Sequence, residues 1–376
     1  MSKPNILFYP HVKYRAQFFL RYVWPGKQLA AHGYNVRIKD PRAQAVWSDD
    51  QTIEDFLWAD VVVAFYPKTA TGITLLEVCQ EMGIPLVVDV DDYAFDLDPS
   101  NPAYGFAGMQ DVEGIWHDGV QYSKSVVMQD HARWLTIMQH CDALTVTQKK
   151  LGDMYAPFIG HDRIWVLPNS LDLSYYKPWK RRAPDDEIRI GWQGGSSHHE
   201  DLKLLVKPLK RIVADHPKAK VVFLGSISKE LRKELPDIEH HPWVDTDTFY
   251  TKLGSLDLDI GLCPVADTNF NRGKSNLKMI EYGASGTPSV CSTIPDGPYN
   301  SPLGFDADGV DRILVENNEH DWYNAINNLI VNKELRDKIG AGAKETATEV
   351  HNIENTWEHW GDCYDTVLKG MVDLSL

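Results

Sequence analysis

Residues 258–292 constrain the fold more than any other part of the chain. Leu258 to Pro264, LDIGLCP, is a continuous apolar run of the kind a strand buried on both faces needs. A polar, glycine-containing loop follows from Asp267 to Ser275, then a short helix from about Asn276 to Ser285. Ser275 or Asn276 can cap its first turn with a side-chain oxygen. Gly286 suits the left-handed position just past the helix, and Pro288 prevents continuation. A second apolar run, Ser289 to Cys291, opens the next strand. A chain that alternates strand, loop, helix and strand in this way builds a parallel sheet flanked by helices.

The same stretch holds a candidate site. A helix start offers free amide N–H groups and a positive dipole end, here at Asn276 and Leu277, which suits a phosphate. Lys274 lies just before it and Arg272 two residues earlier. Glu281 sits about one turn in, on the Lys274 and Lys278 side by spacing. Amides and cations for a diphosphate, with a carboxylate behind for ribose hydroxyls, form a nucleotide-sugar site. The plainer reading of the same residues is a surface loop before a core helix with solvated lysines.

Glu281 leads into Tyr282-Gly283-Ala284-Ser285-Gly286-Thr287-Pro288. This resembles the nucleotide-sugar signature of retaining glycosyltransferases of the GT-B architecture, most like family 4, where a Glu-x7-Glu pair precedes a small-residue helix end and Gly-x-Pro. Glu281 matches the second glutamate; the first falls at Gly273, so that half of the motif is absent. In the family the first glutamate touches donor sugar hydroxyls. The resemblance implies an α/β protein of two Rossmann-like domains, their parallel sheets facing a central cleft, with donor on the second and acceptor on the first. It implies transfer of a sugar from a UDP- or GDP-sugar to an acceptor hydroxyl with retention, with no cofactor and no bound metal.

A length of 376 residues exceeds what one hydrophobic core usually serves. The expected division is 1–171, to which a helix in 352–376 crosses back, and 172–351. The formal net charge is −15, spread along the chain, which argues against a general nucleic-acid binder. Five cysteines lie scattered, mostly within apolar runs, without metal-site or disulfide spacing, as expected of reduced thiols in a cytoplasmic protein. No signal peptide is evident, and no run approaches the ~20 apolar residues of a membrane span.

In the first half, Asn5–Tyr9, Tyr34–Ile38, Asp60–Phe65 and Pro85–Val90 read as strands, with helices ending near His32 and spanning Thr74–Met82. Between Lys13 and Arg42 stand Lys13, Arg15, Arg21, Lys27, Arg37, Lys39 and Arg42 against one acid, Asp40, with aromatics interleaved. This is either a helix with its apolar face in the core or a face for an anionic acceptor, membrane surface or nucleic acid. The fourth strand ends in Asp89, Asp91 and Asp92, where open α/β sheets bind ligands. The family often has a histidine near the donor sugar, which falls here at about Asp91. Asp91 and Asp92 are therefore catalytic candidates, the alternative being that either caps a turn. His117, in the long Asp96–Val120 loop, is another candidate; His131 reads as packed or solvated. A helix from Ser123 to His140 and strands Ala143–Thr147 and Ile164–Leu167 lead to Pro168-Asn169-Ser170-Leu171-Asp172, which resembles the family's interdomain join.

After an unperiodic linker, Asp172–Asp186, the strand Ile188–Gln193 runs into Gly194-Gly195-Ser196-Ser197-His198-His199. Backbone amides at Gly194, Gly195 and Ser196 can approach a phosphate closely. The family binds the donor diphosphate there, commonly with an Arg and a Lys. This loop has neither unless Lys203 reaches back, which leaves Arg272 and Lys274 to supply the charge. Strands Lys220–Leu224 and Ile238–Trp243 follow. Trp243 and Val244 fall where the family meets the base; Trp243 stacks on it or belongs to the core. The last helices, 321–331, 333–349 and 352–368, carry Trp357, Trp360 and Tyr364 at helical spacing, as anchors on the first domain. The acceptor is open among a glycan, a lipid-linked sugar and modified DNA. Two further readings stand beside the general transferase: a phage-type enzyme acting on hydroxymethylated bases, and an inactive sugar-nucleotide-binding protein.

Overall fold

The computed structural model describes residues 3–10, 16–39, 50–98, 115–117, 120–122, 124–177, 187–300 and 308–373. The chain divides into two compact units. The first takes in Met1–Ser100, Tyr104–Ser170 and Ile353–Leu376, and the second Leu171–Asn352.

The first unit is built on strands β1 (Asn5–Tyr9), β2 (Asn35–Ile38), β3 (Val61–Phe65) and β4 (Leu86–Val90). A short antiparallel ribbon follows, β5 (Ile115–His117) with β6 (Val120–Tyr122), and then β7 (Ala143–Val146) and β8 (Ile164–Val166). The main sheet is parallel, in the order β2-β1-β3-β4-β7-β8. β3 and β4 are buried at every position, which is why their sequences are continuous apolar runs instead of alternating. Helices Ala70–Met82, Lys124–His140 and Lys149–Ile159 and the long Ile353–Asp373 helix belong to this unit. The Ala70–Met82 helix starts four residues before its expected Thr74, and helices Asp50–Trp58 and Lys149–Ile159 were not foreseen.

Among the described residues, the basic stretch 13–42 does not form one cationic face. Arg21 is turned inward, 1% exposed. Its Nε and Nη2 donate to Asp89 at 2.9 and 2.6 Å, and Nη1 donates to the Leu167 carbonyl at 2.6 Å. The guanidinium lies 4.5 Å from the Trp360 ring centre. Arg37 and Lys39 are held by Asp55, on the unforeseen Asp50–Trp58 helix. Lys13, Arg15 and Arg42 lie outside the described residues. Arg21 turns inward because burying Asp89 at the end of a central strand is costly without a matched cation.

The second unit comprises β9 (Ile188–Gly194), β10 (Ala219–Gly225), β11 (Glu239–His241), β12 (Ile260–Cys263), β13 (Ser289–Ser292) and β14 (Ile313–Val315). All pair in parallel, in the order β11-β10-β9-β12-β13-β14. Strand order reverses between β9 and β12, and the crevice beyond the carboxyl ends of two such strands is where open α/β sheets take ligands. β11 stops at His241, so the expected strand does not reach Trp243. Among the described residues no helix is long and apolar enough to cross a membrane.

Candidate functional site

The loops beyond β9 and β12 converge on the Leu277–Ala284 helix. The loop after β12 is not plain coil: a short helix, Asn269–Arg272, forms within it, capped by the Thr268 hydroxyl. The cap expected from Asn276 on the next helix does not form. Asn276 occupies the cap position without a side-chain cap hydrogen bond, and its amide lies 3.1 Å from His351 Nε2 instead. His351 is 1% exposed and Asn276 6%, so the contact is buried. Gly286, with φ of +70°, takes the left-handed position that ends the helix.

Two lysines meet at this helix. Lys274 and Lys278 are each 9% exposed. Lys274 Nζ stands 4.9 Å from the Phe270 ring centre, and Lys278 Nζ 5.5 Å from that of Trp192. Gly194 leaves the room: a Cβ there would lie 2.7 Å from the Trp192 ring and 3.1 Å from Lys278 Nζ. The missing charge of the Gly194–His199 loop is thus brought to it from across the sheet. Burial, then the Lys274 charge, brings the Lys278 ammonium down to about 8, against the pull of Glu281.

Between the lysines and the loop lies His198. Its Nδ1 is 2.6 Å from Asp201 Oδ2, and its Nε2 is 2.9 Å from Lys278 Nζ. Lys274 Nζ approaches Nδ1 at 3.4 Å. Burial and the two ammonium groups push the imidazole down to about 3, with Asp201 opposing. Burial works against ionisation of Asp201, but the hydrogen bond from His198, with the Lys274 charge, holds the carboxyl at about 2. Glu281 is buried on the same helix, and its Oε2 accepts from Gln193 Nε2 at 2.5 Å. Burial pushes its carboxyl up to about 8, against Lys278, Gln193 and Tyr250.

Not every sequence candidate joins this cluster. The Arg272 guanidinium is engaged by Asp267, at 2.9 and 2.8 Å. Trp243 is 50% exposed and stacked on Phe249 with ring centres 5.4 Å apart, so it is a surface aromatic and not a core one. Val244 and Leu277 are half-buried, and Gly195 is exposed. The side chain of Ser196 lies outside the described residues, as does that of His117, whose backbone ends β5. Asp91 and Asp92 form the bend after β4. Burial first, then the charges of Asp92 and Asp89, raise the Asp91 carboxyl well above the usual range, against Arg21 and a hydrogen bond from Gln17. Asp89, grouped with them in the sequence, is committed to Arg21 and Thr145. Among the described residues no group of three His, Cys, Asp or Glu is placed to hold a metal. Sequence reasoning missed His198, Asp201, Gln193 and the role of Lys278. The one available signal was His198-His199-Glu200-Asp201, a His and an Asp three apart at a helix start.

No protein-family model matches the chain. It is 25% identical over 219 residues to a D-inositol 3-phosphate glycosyltransferase of Stackebrandtia nassauensis, a match covering 54% of this chain and 47% of that protein. The match therefore spans less than half the length of that curated relative. Among solved structures, Anabaena Alr3699/HepE in complex with UDP and glucose aligns with a TM-score of 0.62 at 12% identity, over 99% of both chains. A glycosyltransferase from Rickettsia africae ESF-5 aligns at 0.63 and 12% identity, over 98% of this chain and 100% of its own. A proposed UDP-N-acetylglucosamine 2-epimerase from Listeria monocytogenes aligns at 0.53 and 12% identity, over 93% and 95%. The fold is GT-B, with two Rossmann-like units; this architecture serves more than one chemistry, so function rests on the site.

Proposed function

We propose that the chain is a glycosyltransferase that takes its sugar from a nucleotide sugar held on the second unit. The observation that carries this is the pair of buried ammonium groups, Lys274 and Lys278, which meet at His198, with Lys278 beside Gly194 at the strand-order reversal. Two buried cations, with Asp201 committed to His198 and Glu281 pushed toward its neutral form by burial, make a site for an anion of more than one charge, and a diphosphate has the right size and charge. As the bond to the anomeric carbon breaks, negative charge grows on the departing diphosphate, and preorganised cations and helix amides stabilise it. Glu281 takes the ribose hydroxyls. The Val244 backbone and the Trp243 face take the base.

The UDP complexes of the Anabaena protein favour a UDP-sugar over a GDP-sugar. Transfer proceeds with retention to a hydroxyl acceptor, with Asp91 on the first unit as the residue nearest in role to the family histidine. Gly273 in place of the first motif glutamate means that donor sugar hydroxyls are read by other groups. The commitment of Arg21, Arg37 and Lys39 to internal acids weighs against a DNA acceptor.

The test is a donor screen. The full chain is incubated with UDP- and GDP-sugars, alone and with glycans, lipid-linked sugars or hydroxymethylated DNA, and nucleoside diphosphate release is measured. Release of UDP from one donor, stimulated by one acceptor, is expected. Binding of a nucleotide sugar without release under any condition would identify an inactive binding protein, and absence of binding would refute the donor site.

A further inference from the structure

His198 sits between a carboxylate and an ammonium, and its two nitrogens have different tasks. Nδ1 lies 2.6 Å from Asp201 Oδ2, so Nδ1 carries the proton and donates it. Nε2 is left with a lone pair, 2.9 Å from Lys278 Nζ, and accepts from the ammonium. Asp201 is itself fixed, its Oδ1 accepting from the Ala266 N–H and from Asn271 Nδ2, both at 2.8 Å. The chain of contacts runs from the loop after β12, through the start of the His199–Asp215 helix, to the Leu277–Ala284 helix.

The choice of imidazole has a physical logic. A lysine ammonium rides on a flexible stem and needs a partner to hold it in one place. A carboxylate partner would hold it but would cancel the charge that an incoming anion needs. A neutral acceptor holds it and leaves the charge. The charged groups facing His198 are Asp201, Lys274 and Lys278; burial and the two ammonium groups, against Asp201, push the imidazole down to about 3, so the ring is neutral near pH 7.

Resting on the donor reading above, we propose that His198, oriented by Asp201, is a positioning residue that aims the Lys278 ammonium at the diphosphate without neutralising it. The probe is inorganic pyrophosphate, which has no base or sugar, titrated calorimetrically into the full chain at pH 7. His198→Ala should weaken binding about tenfold, as loss of a hydrogen bond to a charged group does. His198→Gln keeps an acceptor oxygen near the Nε2 position and should bind close to the parent. His198→Asn, too short to reach Lys278, should behave like alanine, so the Gln/Asn contrast decides the matter even if His198→Ala does not fold. In a Lys278→Met background, His198→Ala should have no further effect. Equal binding by parent and His198→Asn, or an equal loss from His198→Ala in both backgrounds, overturns the proposal. A parent chain that binds neither pyrophosphate nor any nucleotide sugar overturns the donor reading itself, a result distinct from either.

Discussion

Nucleotide-sugar binding should change the number of protons the protein holds, and the sign should reverse near pH 8. The two groups responsible are Glu281, whose carboxyl burial pushes up to about 8, and Lys278, brought down by burial and Lys274 to about 8. At pH 7 the empty site therefore holds a proton on Glu281 in about nine of ten molecules. Accepting two ribose hydroxyls favours the carboxylate, which expels that proton. Lys278 is already about nine-tenths charged at pH 7, so a bound diphosphate adds only about 0.1 proton there. The net is release of about 0.8 proton at pH 7, close to none at pH 8, and uptake of about 0.8 at pH 9. UDP-glucose suits the measurement because its diphosphate is a diester with no proton to lose near neutrality. The assay is titration calorimetry in buffers of different ionisation enthalpy; the slope of observed enthalpy against buffer enthalpy is the proton count. Glu281→Gln should abolish release at pH 7 and leave uptake at pH 9. A slope of zero at pH 7 with tight binding would mean that Glu281 stays protonated in the complex, and the ribose assignment would fail.

Two further outcomes follow from the first unit. Arg21→Met leaves Asp89 buried without its cation and should cost about 3–5 kcal/mol of that unit's stability, read from its urea transition, whereas Arg21→Met with Asp89→Asn should recover much of it; a cost under about 1 kcal/mol for the single change would mean that water reaches Asp89. Asp91→Asn should keep the fold and UDP-glucose affinity but lose most transfer, and Asp92→Asn should do less. Because the Asp91 carboxyl is held above its usual range, transfer by the parent should rise with pH as it ionises, while Asp91→Asn stays flat; parallel profiles would assign Asp91 a structural role.

The parallel strands were legible because burial on both faces writes them as unbroken apolar runs such as VVVAF and LVVDV. The Leu277–Ala284 helix was legible from its breakers, Gly286 and Pro288. The helices at Asp50–Trp58 and Lys149–Ile159 were not. The first exposes Ile53 and Leu57 and so lacks a clean apolar stripe, and the second contains Pro157, which locally reads as a stop. The polar interior was hidden for a different reason. Arg21 and Asp89 are 68 residues apart, and His198 and Lys278 are 80 apart, so only the assembled sheets bring each pair together. A sequence displays Arg21 as one more charge in a basic run and cannot display which way it turns. The cap at Asn276 failed likewise, since its competitor, His351, is 75 residues away.

The Ile353–Asp373 helix completes the first unit, although in the sequence it follows the whole of Leu171–Asn352. Trp360 lies over Arg21, Trp357 stacks on His32 at 3.7 Å, and Asp365 receives Lys3 and the Tyr34 hydroxyl. On a ribosome these partners are made in the wrong order for the first unit. Its sheet emerges early, but Arg21 waits for its indole until the whole of Leu171–Asn352 has been translated. The second unit contains nothing made after Asn352, so it is free to fold while the first is still open. Chains ending at Asn352 and released from the ribosome should therefore expose protease-sensitive sites in residues 1–170 while residues 171–352 resist, and that protection pattern should invert the order in which the segments were synthesised.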